Sequence, residues 1–237
     1  MSKAKVYLIP NFLGNEVSVD RSFPKENRDI VESISHFAVE NLKDSRRFLI
    51  RIGLKNKIDE SEFYSLDKRS TDEDVLLILS ALQEGNSVGI ISDAGCPGVA
   101  DPGSILVAEA HRQGFTVIPL IGPSSILLAL MASGFNGQSF AFKGYLHREK
   151  AIRSKELKEM EMLSKKEGQT QIFMETPYRN EALWADLMQV LNPNTKLCVA
   201  ANITCPNEFI RTSSISEWRK SKKENLNKIP TIFVLST

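Results

Sequence analysis

Along the first half of the chain, short β-branched runs alternate with segments whose apolar positions recur at helical spacing. Residues 6–9 predict an opening strand that runs straight into the loop Pro10-Asn11-Phe12-Leu13-Gly14-Asn15. Ile30, Val31, Ile34 and Phe37 follow as an amphipathic segment, predicted to run into a short strand ending near Val39-Glu40. Residues 70–84 predict a helix. Ser70 and Glu73 match a capping box, Val75, Ile78, Leu79 and Leu82 share one face, and Gly85 can close it. Val88, Ile90 and Ile91 read as a buried strand, 104–113 as a helix closed by Gly114, and 115–120 as the next strand. Strands that alternate with helices in this way imply a parallel sheet.

Two turns stand out within this series. The first leaves the strand at Ile91 as Ser92-Asp93-Ala94-Gly95, and residues 92–103 hold three glycines, two prolines and two aspartates. Much of that loop therefore has restricted or unusual backbone geometry. The second breaks the following strand at Gly122-Pro123, where Ser124 and Ser125 can cap an almost wholly apolar helix. A strand, a sharp turn and a helix expose backbone amides at the carboxyl end of a sheet, where open α/β folds bind ligands.

The pattern changes after Gly134. Residues 147–167 are dense in Lys, Arg and Glu and predict an exposed helix. A second series then begins with a strand at 171–174 and a turn at Glu175-Thr176-Pro177. It continues with a helix bearing Leu183, Leu187 and Leu191, a strand at 196–201 and a last strand at 231–235. Two α/β domains are expected, 1–121 and 122–237, with 122–143 leading across the boundary.

Composition narrows the function. The 237 residues are 42% hydrophobic, enough for a substantial core, and 30 Lys plus Arg face 29 Asp plus Glu. There is no global attraction to nucleic acid or to an anionic membrane, so an RNA partner would need a local basic patch. Cys96, Cys198 and Cys205 form neither a disulfide framework nor a zinc pattern, and His36, His111 and His147 lack metal spacing, so no metal site is expected. The hydrophobic stretch at the start is too short for a signal peptide, and no segment approaches the roughly 20 apolar residues of a membrane span. A cytoplasmic protein is expected.

Taken in order, these motifs resemble the tetrapyrrole methylase family of S-adenosylmethionine-dependent methyltransferases. They are Gly14-Asn15, Ser92-Asp93-Ala94-Gly95-Cys96-Pro97, Asp101-Pro102-Gly103, Gly122-Pro123-Ser124, residues 142–146, Glu175-Thr176-Pro177-Tyr178-Arg179 and the strand after Pro230. The nearest branch 2′-O-methylates a cytidine of small-subunit ribosomal RNA. The resemblance implies two α/β domains with S-adenosylmethionine in the cleft between them, and usually a homodimer. By position it assigns the donor to Leu13, Ala94, Gly95, Val99, Ser124 and Ser125 on one side and to Met174, Ala200, Ala201 and Pro230 on the other. Taken singly, Ala94, Gly95 and Val99 are explained by turn geometry, Ser124 and Ser125 by capping, and Met174 and Ala200 by the core. Nothing matches the G-x-G-x-x-G turn of dinucleotide folds.

The chain departs from that branch at defined places. Where an acidic pair is followed by Thr-Arg, it reads Glu40-Asn41-Leu42-Lys43. Where the branch has Arg-Glu-Leu-Thr, it reads Ala201-Asn202-Ile203-Thr204, and the first loop reads Asn11-Phe12-Leu13 in place of Thr-Pro-Ile. Methyl transfer depends chiefly on alignment, but a hydroxyl nucleophile benefits from a nearby base. Glu40 and Asp101 are the candidate catalytic acids, although Asp101 also fits a turn residue and Glu40 an ordinary surface acid. Lys43 and Arg179 are the candidates to hold RNA phosphates. Two rival readings remain: methylation of a tetrapyrrole or other small molecule, and a non-catalytic module that binds S-adenosylmethionine.

Overall fold

The computed structural model describes residues 4–222 and 224–237, which divide into two compact units, one ending at Ser124 and the other Ser125–Thr237. In the first, strands β1 (Lys5–Ile9), β2 (His36–Val39), β3 (Glu62–Ser65), β4 (Val88–Ile91) and β5 (Thr116–Pro119) form one sheet in the order β3-β2-β4-β1-β5. Every neighbouring pair is parallel. Helices α1 (Val19–Ser22), α2 (Lys25–Ser33), α3 (Leu42–Arg51), α4 (Asp72–Gln83) and α5 (Gly103–Arg112) connect the strands. The central strand β4 is buried along its whole length, as the all-apolar run requires of a parallel sheet covered on both faces. Gly89 lets it lie there: a Cβ at that position would come within 2.5 Å of Ile9 Cδ1 and 3.1 Å of Phe37 Cδ1.

The second unit carries a mixed sheet. Its elements are α6 (Ser125–Ser133), β6 (Phe140–Tyr145), α7 (Lys150–Glu167), β7 (Thr170–Met174), α8 (Asn180–Val190), β8 (Lys196–Ala201), β9 (Phe209–Ser214), α9 (Ile215–Lys220) and β10 (Thr231–Ser236), with strand order β6-β7-β10-β8-β9. β10 runs antiparallel to both β7 and β8. The core gathers Phe173 and Phe233, stacked at 5.7 Å, and Trp184 and Trp218, edge to face at 5.2 Å, around Leu183, Leu187 and Leu235.

Two local expectations are corrected, the capping box of α4 and the exposure of α7. The capping box of α4 is Thr71 with Asp74: Asp74 N–H donates to Thr71 Oγ1 and Thr71 N–H to Asp74 Oδ2. Ser70 is unavailable because its hydroxyl accepts from the Asp67 amide and closes the preceding turn. The segment from Ile30 to Phe37 runs from helix into a strand that ends at Val39, as expected, and the border falls at Ser33 to Ser35. α2 stops at Ser33, Ile34 is extended, and Val31, Ile34 and Phe37 reach the core from either side of that border.

The charged helix α7 is not fully exposed. It buries Arg153, Leu157, Met160 and Ser164. Arg153 donates through Nε to Asp186 Oδ2 at 2.8 Å and through a terminal nitrogen to the carbonyls of His147 and Arg148, so it is spent on structure. Both side chains of this pair are more than nine-tenths buried. Replacing Asp186 by Ala would strand the guanidinium in the interior, and unfolding in urea should show a loss of about 3–5 kcal/mol. Arg153→Met in the same background should recover part of it.

Candidate functional site

The parallel sheet of the first unit sends the loops after β1, β2, β4 and β5 to a single edge. From β1 the chain proceeds to β2, on the β4 side; from its neighbour β4 it proceeds to β5, on the β1 side. The direction reverses between these two strands, the position at which open α/β sheets bind ligands.

The loops are locked together there. Asn11 N–H donates to Gly95 O at 2.9 Å and Gly95 N–H to Asn11 O at 3.1 Å, extending the β1–β4 contact as an antiparallel bridge. The buried Asn11 carboxamide donates to the carbonyls of Ser92 at 2.9 Å and Asp93 at 3.2 Å. Ser92 Oγ donates to Gly95 O at 2.7 Å. The loop after β5 joins them through Gly122, where a Cβ would stand 2.2 Å from Pro10 Cγ, and through the Cys96 thiol, which donates to Pro123 O at 3.5 Å. The Ser124 hydroxyl also bonds that thiol, whose pKa is raised by burial.

Several sequence-predicted residues meet at this junction. Gly95 has φ +69°, and a Cβ on it would lie 3.3 Å from Leu13 Cδ2 and 3.6 Å from Pro123 O. Ala94 is exposed beside it, and Val99 is 49% exposed. Small residues and an open apolar side chain can admit a nucleoside-sized ligand to the backbone. Pro10 and Asn11, which hold the junction, carry no local signal of that role: Pro10 shows only its place in a strand-end loop, and Asn11 adds only its departure from the Thr of the branch.

Acids gather at the same edge. Glu40, directly after β2, is partly buried, and burial first, then the charges of Asp93 and Asp101, raise its pKa, with Lys68 opposing. Asp93 is raised too, by burial and then by Asp44 and Asp101. Asp101 Oδ1 accepts from Gly98 N–H at 3.0 Å and Gly103 N–H at 2.8 Å, so that oxygen serves the turn. Asn41 caps α3, its Oδ1 accepting from the Lys43 and Asp44 amides, and Lys43 projects from the first turn, exposed. Among the described residues no group of three or more His, Cys, Asp or Glu could hold a metal ion.

In the second unit, Met174, Ile232 and Ala200 occupy one row across β7, β10 and β8, and Ala201 is paired with Thr231. Asn202 N–H donates to Pro230 O at 2.9 Å, so the sheet brings Met174, Ala200, Ala201 and Pro230 to one end. Ala200 and Ala201 are buried, and Pro230 is exposed. Ser125 opens α6. Arg179, half-buried, donates to the buried Glu175 carboxylate and to Thr176 Oγ1 at 3.3 Å.

The family described as Tetrapyrrole (Corrin/Porphyrin) Methylases matches residues 28–218. A Thermotoga maritima protein named Ribosomal RNA small subunit methyltransferase I is 33% identical over 183 residues, covering 76% of this chain and 79% of its own. Among solved structures, the methyltransferase CobJ aligns with a TM-score of 0.65 at 17% identity, over 99% of this chain and 94% of CobJ. Uroporphyrin-III C-methyl transferase from Thermus thermophilus, complexed with S-adenyl homocysteine, aligns at 0.55 and 16% identity, over 98% and 97%. At such identities the two structures establish a common fold.

Glu40 gives a signed test of the acidic edge. Its carboxyl holds a proton more tightly in the folded chain than in the unfolded one, so ionising it opposes folding. That cost is absent below the ordinary carboxylate value of about 4.3 and complete above the raised folded value. Glu40→Gln should therefore raise the melting temperature at pH 7.5, and the gain should vanish as the pH falls toward about 4.

Proposed function

Since this chain belongs to the tetrapyrrole (corrin/porphyrin) methylases, we propose that it transfers a methyl group from S-adenosylmethionine to the ribose 2′-hydroxyl of a cytidine in small-subunit ribosomal RNA. It works in the cytoplasm as a homodimer. The observation that carries the donor half is the junction of Asn11 with Gly95 at the reversal of the sheet, where three loops are fixed and the residues between them are small. The RNA half is supported by the relative of that name, of which the chain covers 79%. Dimerisation accords with the apolar face of α6, where Leu127 and Met131 are 50% and 77% exposed.

The residues fit the donor. Gly95, without a side chain, lets Leu13 and the Pro123 carbonyl pack close to it, Leu13 and Val99 offer apolar surface to adenine, and the Ser124 and Ser125 hydroxyls can meet polar groups. Bound there, the donor supplies a methyl carbon activated by its sulfonium. Glu40 takes the proton of the attacking hydroxyl, a task that its raised proton affinity favours. Asp101, held by two amides, contributes negative charge that sustains that affinity. Lys43 and the exposed part of Arg179 hold RNA phosphates.

Calorimetry tests the donor half first. S-adenosylmethionine and S-adenosylhomocysteine should bind saturably and NAD should not; absence of binding would overturn the donor assignment. Gly95→Val forces a β-branched residue to positive φ and fills the space beside Leu13. Donor affinity should fall at least about a hundredfold while circular dichroism stays unchanged. Small subunits lacking the modification should then gain one methyl at a single cytidine. Methylation of a tetrapyrrole extract in its place would overturn the RNA assignment.

A further inference from the structure

Arg51, the last residue of α3, reaches back across the sequence to the loop that follows β1. One terminal nitrogen of its guanidinium donates to Gly14 O at 2.9 Å and the other to Val17 O. Its Cζ lies over the Phe12 ring, 4.0 Å from the centroid. Phe12 is itself held in a cluster with Phe23 at 6.1 Å and Phe48 at 5.9 Å, and these two meet edge to face at 5.4 Å. The flanking residues, Asn11 and Leu13, both lie against Gly95, Asn11 through the paired backbone hydrogen bonds and Leu13 through Cδ2, 3.3 Å from where a Cβ on Gly95 would stand. A rigid fork with two fixed acceptors and a stacking face cannot be replaced by a flexible ammonium.

We propose that Arg51 is a positioning residue for the methyl donor: it clamps residues 12–17 and so fixes Leu13 against Gly95. This role rests on the donor reading given above. The clamp is built for order. Carbonyls at 14 and 17 are pinned by a charge-assisted donor, and the loop between them contains Gly14 and the exposed Asn15 and Glu16, which have no core side chain to hold them. Without the guanidinium, Leu13 would sample positions away from Gly95, and the donor would bear the entropy of reordering the loop. The other end of α3 is capped by Asn41, next to Glu40, so a single helix braces both the acid and the donor loop.

Arg51→Gln and Arg51→Lys test this. Affinity for S-adenosylhomocysteine is read by calorimetry, the KM for RNA at saturating donor by methyl transfer, and amide exchange of residues 11–17 by mass spectrometry. Arg51→Gln should weaken ligand binding about tenfold, leave the KM for RNA within about twofold, and speed exchange in 11–17 and at Gly95 alone. Arg51→Lys, which keeps the charge but loses the fork and the stack, should lie between. Unchanged ligand affinity in Arg51→Gln would overturn the role. So would faster exchange throughout the chain, which would mark a general structural contribution. A wild-type protein that fails to bind S-adenosylhomocysteine would overturn the donor reading itself, and is seen before any substitution is made.

Discussion

The reciprocal hydrogen bonds between Asn11 and Gly95 are the constraint on which the site depends. Past the ends of β1 and β4, buried backbone groups still require partners, and two loops that leave in opposite directions cannot keep a parallel ladder. They satisfy each other by crossing as an antiparallel bridge, which puts Gly95 at φ +69°. The remaining features follow from closeness. Gly122 has no side chain because Pro10 occupies that space, and the Asn11 carboxamide takes two carbonyls that the crossing would leave unmatched.

Much of this was legible in the sequence because its strongest patterns are physical necessities. β4 is buried on both faces and could not be polar, and the helices α4 and α8 carry their apolar stripes where the core needs them. The strands that no pattern announced are those at or near an edge. β3 at Glu62–Ser65, β6 at Phe140–Tyr145 and β9 at Phe209–Ser214 are only partly buried, so packing imposes no strict alternation on them. At the site, glycine and proline marked the loops, whereas the residues that lock them did not stand out. Asn11 and Arg51 act across 81 and 37 residues of separation, and nothing local in the sequence encodes such a partner.

Where the chain departs from the RNA-methylating pattern, the structure supplies reasons rooted in the backbone. Position 41 must cap α3, a task that needs one acceptor oxygen and no charge. With Glu40, Asp93 and Asp101 already repelling one another, a second carboxylate there would add to the cost, and Asn supplies the oxygen without it.

Position 202 answers a different demand. It stands at φ +49°, a left-handed conformation that Asn tolerates better than Glu, and its amide fastens the end of β8 to Pro230. Two residues on, Thr204 sits at φ +73°, rare for a β-branched residue, and is held there by Glu208, whose carboxylate accepts from the Thr204 amide at 2.6 Å. An acid is thus still present in the loop after β8, but it has become a brace for the main chain. Charge that the branch carries in its motif is here exchanged for backbone order, while at the edge of the first unit Glu40 and Asp93 keep carboxyls whose surroundings strengthen their hold on a proton.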